Sequence, residues 1–422
     1  MEKMKSFFPL DLRALATMRI AMSCLLIADL FSRLRDFSLL YTSTGVFPGA
    51  GGTTLGIFLF LFCALTFLQL GLGFHTRLAT LFSWIALVIL QDRNPLVFQG
   101  ADKLIRLTLL WGFFLPWGNR FSLDAKKLPK TREQYASWAT FAFTLQIALL
   151  YLFAGLFKNN PSWRQTCDAV CFVLHDDFIT TALAPLVARV LGHGCHAVTM
   201  AVPILEMVCA AALLVSGRWR TVRLVVVCTL VLLHVSFFLT LRLGLFPWIG
   251  MLSAVGLALL PEKSKIRKVP PALRGEVFAA VLVGYVVWIN VGDWAPSLAP
   301  SGWFAKPVSA LRLKQSWQMF TRLHDRIFWL TLKANDKLTL NYRGEAYVGE
   351  KSIGDLSPNQ RWRMTIPLIL FDQNSTGTYL SAICHRYSYA TIDLVLWRKD
   401  VRSDYTFGAP TSIQTITKHC IQ

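Results

Sequence analysis

The chain has 422 residues, 54% of them hydrophobic and only 16% charged. That excludes an ordinary soluble domain, which carries about 25% charged residues to cover its surface. The formal charge of +19 is gathered in short clusters between long apolar runs, where membrane orientation signals sit, and this argues against nucleic acid as a partner.

A run of roughly 20 apolar residues crosses the hydrocarbon core of a bilayer. In chain order, spans are expected near 12–32, 54–72, 76–92, 102–117, 136–157, 195–216, 221–241, 244–260 and 275–292. The first is too long for the apolar core of a signal peptide and has no small-x-small cleavage site, so it reads as an anchor. With the N-terminus in the cytoplasm, the inner segments hold 17 Lys and Arg, from Lys3 through the 120–132 and 218–223 loops to Arg274. The outer segments hold 8, among them Arg33, Lys103, Lys158 and Arg242. The positive-inside rule therefore predicts N-in and C-out. Between the fifth and sixth spans, Ile179–Leu191 is too short to cross and is expected to lie as an amphipathic or re-entrant element at the outer surface.

From about residue 293 the composition changes. Pro296 and Pro300 mark a linker. Beyond it, β-branched and aromatic alternation predicts strands at Ile327–Lys333, Leu338–Tyr342, Arg361–Leu370 and Thr391–Val401, with a helix at Tyr379–Arg386. The expected fold is a polytopic α-helical membrane protein of about nine transmembrane helices (1–292) carrying a small extracytoplasmic α+β domain (293–422).

Ionisable residues inside spans each cost about 2.5–3.5 kcal/mol at mid-membrane, so each needs a partner or a role. They are Arg19, Asp29, Asp102, Arg106, Lys158, Glu206 and His234. Asp102 and Arg106 are one turn apart and placed to pair. At about 1.5 Å per residue, most of these groups fall near the outer ends of their helices, which predicts a polar cavity in the outer leaflet. The bland alternative is a set of interhelical pairs and snorkelling side chains. Cys167, Cys171 and His175, followed by Cys195 and His196, have soft-ligand spacing, but no metal site is assigned to them. Cys384 and Cys420 could form a disulfide in the outer domain.

Several motifs in order resemble the HTTM family, the membrane domain shared with vitamin K-dependent γ-glutamyl carboxylase. They are Met18-Arg19-Ile20 with Asp29-Leu30, Gly45-Val46-Phe47-Pro48, Asn94-Pro95, and Gly100-Ala101-Asp102-Lys103-Leu104-Ile105-Arg106. Phe114-Leu115-Pro116-Trp117-Gly118, Tyr151 through Ala154-Gly155 to Lys158 with Trp163, and His234 ahead of Gly244-Leu245-Phe246-Pro247-Trp248 follow. Gln315-Ser316-Trp317-Gln318-Met319-Phe320 is similar to the family's entry to its C-terminal part. The resemblance implies that Lys158 is a base deprotonating a reduced quinone (vitamin K or menaquinone). It implies His234 as a helper and Asp102, Arg106, Asn94 and Trp163 as cofactor-binding residues. A lysine can be a base only if desolvation or a nearby cation favours its neutral form, and Arg106 is a candidate for that cation. The chain departs from the carboxylase where Pro95 replaces a histidine, where Thr166 replaces a glycine, and in its far smaller outer domain. The expected protein is a bacterial inner (plasma) membrane protein whose partners are membrane lipid and an exported peptide. It would be a carboxylase-like enzyme (lyase or quinol epoxidase) or a non-enzymatic scaffold for maturing or exporting a peptide.

Overall fold

A computed structural model describes residues 8–47, 51–127, 134–217, 219–258, 267–268, 273–321, 326–347, 353–371, 373–401 and 408–420. All nine expected apolar segments contain a helix: α1 (Leu12–Arg35), α2 (Thr53–Leu72), α3 (Thr76–Arg93), α4 (Gly100–Gly112), α5 (Trp138–Phe157), then, after two short helices α6 (Ala169–His175) and α7 (Ala184–Leu191), α8 (Gly194–Ser216), α9 (Arg220–Thr240), α10 (Phe246–Gly256) and α11 (Leu273–Trp294). Five of them, α1, α2, α5, α8 and α9, are long and apolar enough to cross a membrane. Large apolar side chains stand exposed along their outer faces, such as Phe58, Leu61 and Leu65 on α2 and Leu232 on α9. Water does not tolerate an apolar belt of that extent, whereas lipid does.

The expected 102–117 span is shorter than predicted. Pro116 disfavours helical backbone at Leu115, and α4 stops at Gly112. A side chain at Gly112 would meet the Trp117 ring at 2.4 Å, so the glycine is what lets the chain fold back there. The Ile179–Leu191 segment holds only eight helical residues, too few to cross. It contains α7, whose Leu186 and Val190 are exposed, as an amphipathic surface helix requires.

The loops gather at two ends. At one, a small sheet joins β1 (Leu10–Asp11) to β2 (Gln134–Ala136) and β2 to β3 (Arg267–Lys268). Arg223 donates to the Pro9 carbonyl at 3.0 Å there, and the Asp124 carboxylate accepts from the backbone of His75 and Thr76. The 33–36, 94–102, 158–181 and 240–246 segments meet the C-terminal region at the other end. The cationic positions Lys3, Lys5, Lys130, Arg132, Arg218, Lys263 and Lys265 lie outside the described residues.

After helix α12 (Ala305–Ala310), the C-terminal region forms an antiparallel sheet of order β5-β4-β6-β7: β4 (Arg326–Ala334), β5 (Leu338–Leu340), β6 (Thr391–Asp400) and β7 (Thr411–His419). Leu330, Leu332 and Ala334 face Leu396, Leu394 and Ile392 across the β4–β6 pair, and all but Leu396 are fully buried. The predicted strand Arg361–Leu370 is instead helix α13 (Gln360–Phe371). Its buried residues Trp362, Ile366 and Ile369 recur at i, i+4 and i+7, a helical period. The Asn359 side chain accepts from the Arg361 and Trp362 amides and caps its start. The predicted helix at Tyr379–Arg386 is part of α14 (Gln373–Tyr387). Cys384 and Cys420 are disulfide-bonded.

Lys399 of β6 binds Asp177 at 2.7 Å, tying the sheet to the 158–194 segment. The adjacent Asp176 is pushed up to about 6 by burial, opposed by a hydrogen bond from the Phe178 amide. A carboxyl raised in the folded state holds its proton more tightly folded than unfolded. Its stabilising contribution is therefore full below about pH 3.9 and lost as pH rises through about 6, a loss of about 3 kcal/mol at pH 7. Asp176→Asn should flatten thermal unfolding in detergent between pH 4 and 7; profiles of equal slope would show that Asp176 is not the titrating group.

Candidate functional site

Gly155 brings α5 and α8 together. A side chain there would lie 2.9 Å from the Pro203 carbonyl and 2.8 Å from the Met207 side chain. One turn on, Lys158 at the C-cap of α5 meets Glu206 of α8. Lys158 Nζ donates to both carboxylate oxygens, at 3.0 and 2.7 Å, and to the Ala154 carbonyl at 3.1 Å. Both side chains are about 95% buried. The Trp163 ring stands 5.4 Å from Nζ and is held by its indole N–H, which donates to the Phe320 carbonyl at 2.8 Å. The Gln315–Phe320 motif thus reaches the lysine through Trp163. Arg106 is not the neighbour the sequence suggested; the group facing Lys158 is the carboxyl of Glu206. Wherever the shared proton lies, on nitrogen or on oxygen, the pair is uncharged overall.

His234 of α9 lies against α5 and α10. Its Nε2 shares a 2.8 Å hydrogen bond with the Tyr151 hydroxyl, while its buried Nδ1 has no partner among the described residues. Gly250 makes the seat: a side chain there would lie within 2.4 Å of the imidazole. Tyr151 is also within electrostatic reach of Glu206, so the polar groups run Lys158, Glu206, Tyr151, His234 through an otherwise apolar bundle.

A second cluster was only half foreseen. Asp102 does not pair with Arg106. It accepts from Arg33 at 3.0 Å and from Arg361 at 3.0 and 3.1 Å. The same two arginines bind Asp29 at 2.7 Å each. Arg33 also donates to the Tyr41 hydroxyl, and Asp102 caps α4 by accepting from the Gln99 amide. Two guanidinium forks against two carboxylates leave no net charge and few unmet donors, the condition under which buried charges are tolerated. The Arg361 guanidinium is held further toward its charged form than usual by Asp102 and Asp29, against the opposing effect of burial. Asp29 and Arg33 are four apart, so this half of the cluster is visible in the sequence. Arg361 is not, because nothing local points to a residue 259 positions from Asp102.

The remaining candidates are structural or stand elsewhere. Arg19 donates to the carbonyls of Leu70, Gly71, Trp117 and Phe121, closing the end of α2 onto the 117–121 turn. Asn94 is buried, donating to the Leu40 carbonyl and accepting from the Leu96 amide. Arg106 binds the Gln91 side chain and the Arg312 carbonyl. Cys171 and Cys195 are disulfide-bonded, so the thiols that could have joined His196 around a metal are joined to each other.

Among known proteins, the family model of the HTTM domain matches residues 7–258, more than half of the chain. No curated protein and no solved structure matches it.

Proposed function

This chain belongs to the HTTM family, and on that premise we propose that it is a multi-pass acid–base enzyme of the inner membrane, carboxylase-like in using a lysine base, acting on an exported peptide or a lipid. The observation that carries this reading is the buried Lys158–Glu206 pair. Proton transfer from Lys158 Nζ to Glu206 would leave a free amine in an apolar setting, where it can take a proton from an acidic C–H or O–H of the substrate. Glu206 would then be the proton's store, and His234, with its open Nδ1 and its bond to Tyr151, a second acid–base group for the charge that develops. A reduced quinone does not fit the residues around Lys158 as they stand: all three Nζ protons have acceptors, Asp102 and Asn94 are engaged elsewhere, and Arg106 is held by Gln91 and Arg312.

The saturation of Lys158 is also the observation in favour of the second reading, a non-enzymatic scaffold for a secreted peptide. Mass spectrometry of exported peptides and membrane lipids separates the two, comparing cells making the wild type with cells making Lys158→Ala or Glu206→Gln at equal protein levels. A product mass present only with the wild type supports the enzyme. Identical profiles, with a change only on deleting the C-terminal domain, would move the assignment to the scaffold.

The nine helices are proposed to cross with the N-terminus inside. The clustering of the lysine- and arginine-rich loops at one end supports this, as do the two disulfides at the other, since disulfides persist on the oxidising side of a membrane. Lys126→Cys and Thr411→Cys, each at an exposed position, should react with an impermeant maleimide from opposite sides of intact cells. Labelling of both from the same side contradicts the topology.

A further inference from the structure

A cavity of about 610 Å³ opens at the seam between the membrane helices and the C-terminal region. It lies beside the first turns of α4, the end of α11 and the 299–316 segment. Four of its lining residues are cations, Lys103, Arg106, Arg312 and Lys314, against the single carboxylate of Asp293. That carboxylate already accepts from the backbone amides of Gln315 and Ser316, at 3.3 and 2.7 Å. Arg312 is paired outward with Asp92. Arg106 is only 2% exposed, yet among the described residues its Nε has no acceptor and the Nε2 of the buried Gln91 side chain beside it has none either. Buried donors without acceptors are rare in folded proteins, and these two sit behind a lining that carries four cations to one carboxylate, a charge balance that calls for an anion.

Apart from Gln91, Ser309 and Ser316, the rest of the lining is apolar, with Pro95, Phe98, Ile289 and Val308 on its wall. The rim carries a membrane-interface signature. Trp303 is 80% exposed and Phe304 61%, and Lys306 Nζ sits 3.8 Å over the Trp303 ring. Exposed tryptophan with a snorkelling lysine, packed beside α11 through the Trp288–Phe304 contact, is the composition of a lipid headgroup layer.

We propose that this cavity binds an anionic phospholipid, its phosphate held by Lys103, Arg106 and Lys314 and an acyl chain lying along the Phe98–Ile289–Val308 wall beneath the Trp303–Phe304 rim. The site does not depend on the acid–base reading, because neither Lys158 nor Glu206 lines it.

Lipid titration of the full-length protein in detergent, followed by native mass spectrometry, tests the proposal. Phosphatidylglycerol should bind about tenfold more tightly than phosphatidylcholine, and Lys103→Gln with Lys314→Gln should remove about tenfold of that affinity. Val308→Trp, which fills the cavity and leaves every charge in place, should weaken phosphatidylglycerol as well. Lys103 also donates to the Gln315 carbonyl, so Lys314→Gln alone, at an exposed position, guards against a folding defect. Equal binding of the two lipids, or affinity unchanged in Lys314→Gln and Val308→Trp, overturns the site. Displacement of the lipid by an equal concentration of inorganic phosphate overturns the amphiphile and leaves a soluble anion as the ligand.

Discussion

Replacing Arg361 with methionine is expected to destabilise the protein by about 3–5 kcal/mol and to release the C-terminal domain from the membrane helices. Arg361 donates to Asp29, Asp102 and the Val97 carbonyl, and its removal leaves two buried carboxylates sharing one arginine, Arg33. The same face is held by Arg343 to Asp36 at 2.5 Å and by Asn359 to the other Asp36 oxygen at 2.8 Å. Those contacts set an upper limit on how far the domain can move while Arg361 is missing. Arg361→Lys should recover only part of the loss, because an ammonium cannot offer the two parallel donors that Asp102 accepts. Thermal unfolding followed by tryptophan fluorescence, with Trp362 next in sequence, reads the stability. Limited proteolysis in the 311–326 region reads the release. An unchanged melting temperature and digest would mean that the cluster contributes little to docking.

The Lys158–Glu206 pair should separate stability from chemistry. Lys158→Ala leaves a carboxylate and Glu206→Gln an ammonium in the α5–α8 interface, and each should cost about 3–5 kcal/mol. Replacing both at once, Lys158→Met with Glu206→Leu, removes the uncompensated charge and should restore most of that loss, so the single effects will not add. If the pair performs acid–base work, all three variants lose the product seen with wild type, including the stable double variant. Product formation by the double variant would end the acid–base assignment even with every stability prediction met.

The lengths of the apolar runs located the helices of the membrane region, because a bilayer imposes a length that a one-dimensional sequence can record. The same reading put Lys158 at the end of one span and His234 within another, and marked Asp29 and Asp102 as residues needing partners. Sequence reasoning failed where partners are far apart in the chain. Asp102 read naturally as the partner of Arg106, one turn away, but the competition was won by Arg33 and Arg361, whose forks close a neutral cluster that no local spacing announces. Arg361–Leu370 read as a strand because alternation and helical period are hard to tell apart over ten residues, and its packing against the sheet selected the helix. Glu206 was visible as a buried acid, but only the close approach of α5 and α8 at Gly155 made it the partner of Lys158. The cavity was out of reach altogether, since its wall joins α3, α4, α11 and the 299–316 segment. Burial cost, which forces every charge to find a counter-charge or a ligand, is written in the sequence as a demand; which group meets it is decided only when the chain is folded.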